Sequence, residues 1–212
     1  MTRGQIRTKL RRRLNEEVGD SAGGWTDAEL NAEINDAYKW VQKEIYKSFP
    51  TAHLYWDLMD TVTDDHWYPL PETLGIRQVA LKADSSATDF ARLHRKDFED
   101  LVDLDDSSTT YYYTTMGQYI GIYPYPAEAV LQGLRVIHTP LMAMAADDDV
   151  PRVKAPCHEA IVLKAKDSIL GDLGPAGADE SNRVRLADII NDLPLWYQVQ
   201  NDEPERVQPS GL

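Results

Sequence analysis

The chain has 212 residues, a net charge of −13 and a single cysteine, Cys157. That length can bury a core without cross-links, and one cysteine excludes an intrachain disulfide, so an intracellular site of assembly is expected. No apolar run approaches the about 20 residues of a membrane span, and no apolar segment follows the basic N-terminal residues, so a soluble protein with neither a span nor a signal peptide is expected.

The charge is uneven. Arg3, Arg7, Lys9, Arg11, Arg12 and Arg13 all precede the first acid, Glu16, so the remainder is more acidic than the whole. Such a body repels phosphate and is a poor general nucleic-acid binder. The basic start can serve as a solvated helix face, or can touch phosphate, an acidic partner or an acidic patch of a neighbouring copy.

In chain order, residues 4–18 carry Ile6, Leu10, Leu14 and Val18 at four-residue spacing, one narrow apolar stripe on a helix. Residues 19–24 form a glycine-containing loop. Thr26 and Glu29 have the spacing of a capping box, with Trp25 placed to staple onto Leu30. Leu30, Ile34, Ala37, Tyr38, Val41 and Ile45 then keep helical spacing, and Pro50 sets an end near Lys47. The two helices are expected to form an antiparallel pair.

From Tyr55 the period changes to two. Trp56, Leu58 and Val62 read as the buried face of a strand. Short extended pieces follow at 67–70 and 76–82, then a polar turn at 84–88, a further piece at 90–93 and a short helix at 96–104 with Phe98, Leu101 and Val102 inward. Residues 105–110 read as a loop. Residues 111–115 and 119–123 flank Met116-Gly117-Gln118, a hairpin signature, and 131–139 is the last strand. Pro156 suits the first turn of an apolar helix that stops at Gly171. Asp179 is placed to cap a fourth helix carrying Val184, Leu186, Ile189, Ile190 and Leu193, which Pro194 ends or kinks. Beyond Tyr197 the tail is polar and, alone, expected to be disordered.

The expected fold class is therefore α+β: N- and C-terminal helices packed as a bundle, with a small antiparallel sheet inserted between them. The expected divisions are a helical pair at 1–50, a β-rich insertion at 51–140, C-terminal helices of the same bundle at 141–198 and a flexible tail at 199–212.

The sequence carries little recognisable chemistry. Cys157-His158-Glu159 lacks the second histidine of a zinc-protease helix, because Val162 stands four residues after His158. Neighbouring residues on a helix diverge, so Cys157 and His158 make a poor nucleophile pair, and an exposed helix N-terminus is the simpler expectation. His53, His66, His94 and His138 show no ligand spacing. Asp147, Asp148 and Asp149 lack the glycine and distal Glu of a calcium loop, and a solvated loop or a contact with a neighbour's arginines is favoured. Residues 171–177 are glycine-rich but lack the lysine and hydroxyl of a phosphate loop. Residues 111–113 have no basic residue close in sequence, which favours packing over nucleotide stacking. No enzyme activity, metal or cofactor is expected.

The order of parts resembles the head-to-tail adaptor (connector) proteins of tailed bacteriophages. The resemblance runs from Met1 to Tyr197. It rests on Trp25-Thr26-Asp27, Ile34-Asn35-Asp36-Ala37, the strand Tyr119-Ile120-Gly121-Ile122-Tyr123 with Pro124-Tyr125-Pro126, the strand at 134–140, the acidic turn at 147–151, and Pro156-Cys157-His158-Glu159-Ala160-Ile161-Val162. It implies a virion protein, assembled in the host cytoplasm and placed at the neck. There it would form a homo-oligomeric ring of twelve copies beneath the portal protein, extend the DNA channel and offer a platform to a downstream tail or head-completion protein. DNA would pass without specific binding, and no membrane is involved. The resemblance places portal contacts in the C-terminal segment, here Trp196, Tyr197, Val199, Val207 and Leu212. Arg7, Arg11, Arg12 and Arg13 with Asp147, Asp148 and Asp149 are the candidate subunit interface, one basic and one acidic side. Another neck or tail completion protein, a non-viral oligomeric module, and a hydrolase built on His158 and distant carboxylates are the alternatives.

Overall fold

The computed structural model describes residues 1–18, 24–102, 110–172, 180–197 and 208–209. Most of the expected loops at 19–24, 105–110 and 171–177, the Asp179 cap, and Val199, Val207 and Leu212 lie outside the described residues. The chain divides into two units, Met1–Pro50 with Met142–Pro204, and Thr51–Leu141 with Glu205–Leu212. The fold class is α+β.

The helical unit contains α1 (Arg3–Val18), α2 (Asp27–Ser48), α4 (Cys157–Asp172), α5 (Glu180–Asn191) and α6 (Leu193–Tyr197). Helix α2 starts where its sequence says it should. The Thr26 hydroxyl accepts from the Glu29 N–H at 3.2 Å, and Glu29 Oε2 accepts from the Thr26 N–H at 2.8 Å. Two of the helix's orphan donors are thus satisfied. Thr26→Ala is expected to cost about 1 kcal/mol, read as a lower urea midpoint; an unchanged midpoint would show the cap to be idle.

Helix α4 packs against α1, α2 and α5. A helix covered on several sides must be apolar nearly all round, and Cys157, Ala160, Ile161, Val162, Leu163, Ala165, Ile169 and Leu170 are all buried. Against it lie the stripe of α1 (Ile6, Leu10, Leu14) and that of α2 (Leu30, Ile34, Ala37, Tyr38, Val41, Ile45). Val184 on α5 is exposed, and Leu186, Ile189 and Ile190 are half-buried. Pro194 sits in the first turn of α6, where a missing N–H breaks no helical bond.

The strand unit holds two sheets rather than one. The first has the order β4 (Ala91–Arg92), β3 (Thr73–Leu81), β8 (Leu134–Pro140), β1 (Tyr55–Met59), β9 (Gln208–Pro209). The second has the order β2 (Trp67–Pro69), β7 (Tyr119–Tyr123), β6 (Tyr112–Met116), β5 (His94–Arg95). Pairing is antiparallel except β1 with β9 and β5 with β6. Val79, Leu81, Leu134 and Val136 of the first sheet and Tyr68, Tyr113, Ile120 and Ile122 of the second share one apolar core.

Several strand expectations need correction. Trp56 and Leu58 do not face this core. Asp57 is opposite Val136 and Met59 opposite Leu134, while Leu58 is opposite Arg135, so Tyr55, Asp57 and Met59 point inward. Both alternating sets of β1 contain apolar residues, and period two alone does not say which is buried. Val62 lies beyond β1 and is exposed. Phe98, at the start of α3 (Phe98–Val102), is 43% exposed, while Leu101 is buried. The last strand begins at Leu134, and Leu131 is exposed.

The hairpin is tighter than expected: Met116 pairs with Tyr119, so only Gly117 and Gln118 form the loop, with Gly117 at φ +60°. Gly121 has a different role. A Cβ there would stand 2.8 Å from the Trp67 ring, so the bare backbone lets the indole lie over the sheet.

Candidate functional site

The basic face of α1 is held by its own chain. The backbone N–H groups of Arg3 and Gly4, orphans at a helix start, donate to the carbonyls of Asp149 (2.8 Å) and Asp147 (2.9 Å). The acidic loop therefore caps α1. Its side chains add to this. Arg7 grips Asp147 through two N–H groups at 3.0 and 2.7 Å, and Arg3 donates to the same carboxylate at 2.8 Å. Hydrogen bonds from Arg7, then Arg3, hold the Asp147 carboxyl below the usual carboxylate range. Arg11 pairs with Asp27 at 2.6 Å. Asp149 turns inward to accept from the Ala145 and Ala146 N–H groups at 2.6 and 2.7 Å. Asp148 and Arg12 are exposed.

Two amides on α2 place this loop. Gln42 exchanges two hydrogen bonds with the backbone of Met142 (2.8 and 2.9 Å), and Asn35 does the same with Met144 (3.2 and 2.9 Å). Seven residues apart, they stand on one helix face and bind alternate residues of an extended segment. Their only sequence signal is an amide recurring at heptad spacing beside the apolar stripe.

The N-terminus of α4 is not exposed, contrary to expectation. Cys157 and His158 are buried. Burial pushes the Cys157 thiol up to about 11, which leaves it a poor thiolate. Burial, then the Met1 ammonium, holds the His158 imidazole below its usual range. Glu159 gathers the rest of α1: it accepts from Lys9 and, at 2.5 Å, from Arg13, with Arg185 of α5 at 3.6 Å. Burial raises this carboxyl, but the bonds and charges of Lys9 and Arg13 outweigh it and leave it below the glutamate range.

Tyr197 is buried in the helical unit, stacks on Phe49 with centroids 5.6 Å apart and accepts from the Lys154 N–H at 3.3 Å. It fixes the root of the tail. Trp196 beside it is half-buried.

In the strand unit, His138 Nε2 lies 2.8 Å from Asp57 Oδ2 and Nδ1 lies 3.3 Å from Thr73 Oγ1. Hydroxyl, imidazole and carboxylate stand in the order hydrolases use. However, His138 is fully buried, and the Thr73 hydroxyl donates to the Thr139 carbonyl at 2.7 Å. The group ties β8 to both of its neighbours and offers no attacking oxygen. Among the described residues no cluster of three or more His, Cys, Asp or Glu could hold a metal, and no helix is long and apolar enough to cross a membrane.

What the geometry supplies is a set of internally braced surfaces, the equipment of a structural subunit that works by contact. The family model described as SU10 adaptor protein matches residues 1–208, and the chain belongs to that family of phage head-tail adaptors. The protein is a phage adaptor, placed by its family at the virion neck among head and tail components. No curated protein matches the sequence.

Proposed function

We propose that the protein assembles as a ring of twelve copies beneath the portal, extends the DNA channel and offers the tail its attachment platform. The observation that carries this reading is the adaptor-family match over nearly the whole chain. Charge supports it. A wall made from a −13 chain repels phosphate, so DNA would slide along it without specific binding.

The exposed side of the α1 contact, with Arg11, Arg12, Asp147 and Asp148, faces a neighbouring subunit; Arg7 through Asp147, Arg13 through Glu159 and Asp149 through the Ala145 and Ala146 N–H groups hold that face in place. Functionally the chain divides into the helices of 1–50 and 141–198, the insertion 51–140 and the tail 199–212. Trp196 and Tyr197 anchor the tail, and the segment through Val199, Val207 and Leu212 reaches the portal. A chain ended at Gln198 loses the two-residue edge strand β9 but keeps the other four strands of that sheet, and is expected to stay folded and lose portal binding. Co-sedimentation with portal rings, with thermal unfolding as the control, reads both. Undiminished binding by the shortened chain would remove the tail from this role.

A further inference from the structure

The cations of α1 are largely matched with acids of their own chain. Three cations of the first sheet are not: among the described residues, Lys82, Arg92 and Arg135 make no ion pair. The register puts them on one face. Val79, Leu81, Leu134 and Val136 point into the core, so Ala80 and Arg135, which alternate with them, point out. Arg92 on β4 and Arg135 on β8 both lie opposite Ala80 of β3, one on each side of it. Lys82 stands two residues past Ala80 and shares the Phe90 ring with Arg135. Its Nζ is 5.2 Å and the Arg135 guanidinium carbon 4.5 Å from the ring centroid.

Nothing local offsets the three charges. Asp84 accepts from the Ser86 N–H and hydroxyl, and Asp60 accepts from the Gln132 N–H. Asp89 is exposed and pairs with none of the three. The Phe90 ring holds two of the side chains in place without neutralising them. Arg135 Nε is buried with no hydrogen-bond partner, a donor that costs free energy until an acceptor reaches it. Beyond Arg135 the same face turns apolar. Leu58 lies opposite Arg135, Trp56 lies opposite Ile137, and all three of these apolar side chains are half-buried. One sheet face thus runs from cationic at β4 and β3 to apolar at β1.

We propose that this face binds an acidic, extended segment of another protein of the particle, with carboxylates on Arg92 and Arg135, Lys82 alongside, and apolar side chains on Leu58 and Trp56. The spacing fits. Arg92 and Arg135 stand two strand steps apart, about 9–10 Å, and three residues of extended chain span about 10 Å. Acids three residues apart therefore meet one guanidinium each, and the guanidinium fork takes a carboxylate through two N–H groups. Charge complementarity selects the partner. A chain of −13 repels an acidic protein over most of its surface and attracts it here, which fixes where the segment lands. Duplex DNA fits less well. It would bring its phosphates against an acidic body and would leave Leu58 and Trp56 uncovered. Head and tail components, among which the family places this chain, are the source of such a segment. The inference concerns a partner outside the ring and goes beyond the ring reading.

The test uses the full chain and, as probe, the blocked hexapeptide Glu-Ala-Ala-Glu-Leu-Leu, titrated by NMR at low and high salt. Saturable binding is expected that shifts the Arg92 and Arg135 Nε–H signals and the Leu58 methyls, and that weakens with salt. K82E/R92E is expected to weaken it at least about tenfold, with an unchanged thermal transition because Arg92 is exposed and Lys82 half-buried. R135Q is expected to weaken it as well, and Lys43→Ala, which removes an exposed cation of α2, to leave it intact. Absence of saturable binding, or equal binding by K82E/R92E, would overturn the proposal. So would a short DNA duplex that binds more tightly than the peptide and is lost in K82E/R92E, which would assign the face to phosphate. Loss of self-association in K82E/R92E, read by sedimentation velocity, would assign the face to a second copy and overturn it too. The peptide titration needs neither ring nor portal, so its failure and failure of the ring reading are separate results.

Discussion

Glu159→Ala is expected to cost about 2–3 kcal/mol, because it strands two close cations, Lys9 and Arg13, in a partly buried site. The Glu159 side chain is only 16% exposed, so water cannot replace it freely. The surface pair of Arg11 with Asp27, about half exposed on both sides, is worth much less. The pH dependence has a definite sign. The folded carboxyl titrates below its ordinary value, so its stabilisation is complete above the ordinary glutamate range and is lost as pH falls through the folded value. Glu159→Gln should flatten that part of the profile. Urea unfolding of wild type and variant between pH 7 and pH 3 checks this; parallel profiles would show that Glu159 is not the titrating group.

His138→Ala is the second large effect, expected at about 2–4 kcal/mol. His138 lies on the central strand of its sheet, contacts Asp57 on β1 and Thr73 on β3, and its side chain is 1% exposed. Removing it leaves a cavity, an inward carboxylate without its partner and one bond fewer across each strand pair. Asp57→Asn and the double variant complete a cycle, and a coupling of about 0.5–3 kcal/mol is expected for residues in contact. A coupling near zero would mean that the two residues act independently.

Local signals were readable and long-range ones were not. Thr26 and Glu29 are three residues apart, and their capping box announces α2 from the sequence alone. The stripe of Ile6, Leu10 and Leu14 marks the buried side of α1 with equal clarity. By contrast, Arg7 and Asp147 are separated by most of the chain, so spacing could not join them. The exposure expected for Cys157 and His158 failed because α4 is covered by three helices, a property of the assembly of elements. Strand β1 failed differently. Its two faces are both partly apolar, and only pairing with β8 decides which one meets the core. Lys96 reaches Tyr112 through β5–β6 pairing, which no reading of neighbours along the chain reveals.

The helical unit is assembled from the two ends of the sequence, with the strand unit between them. Synthesis from the N-terminus therefore delivers α1 and α2 long before α4, the helix that covers their apolar stripes. At about 5–20 residues per second, Ile6, Leu10 and Ile34 wait on the order of ten seconds for Ile161 and Leu163. A ribosome that stops anywhere in the strand unit releases two sticky helices with nothing to close on. Such fragments are expected to be removed by chaperones and proteases, so only full translation would yield a subunit fit to enter a particle.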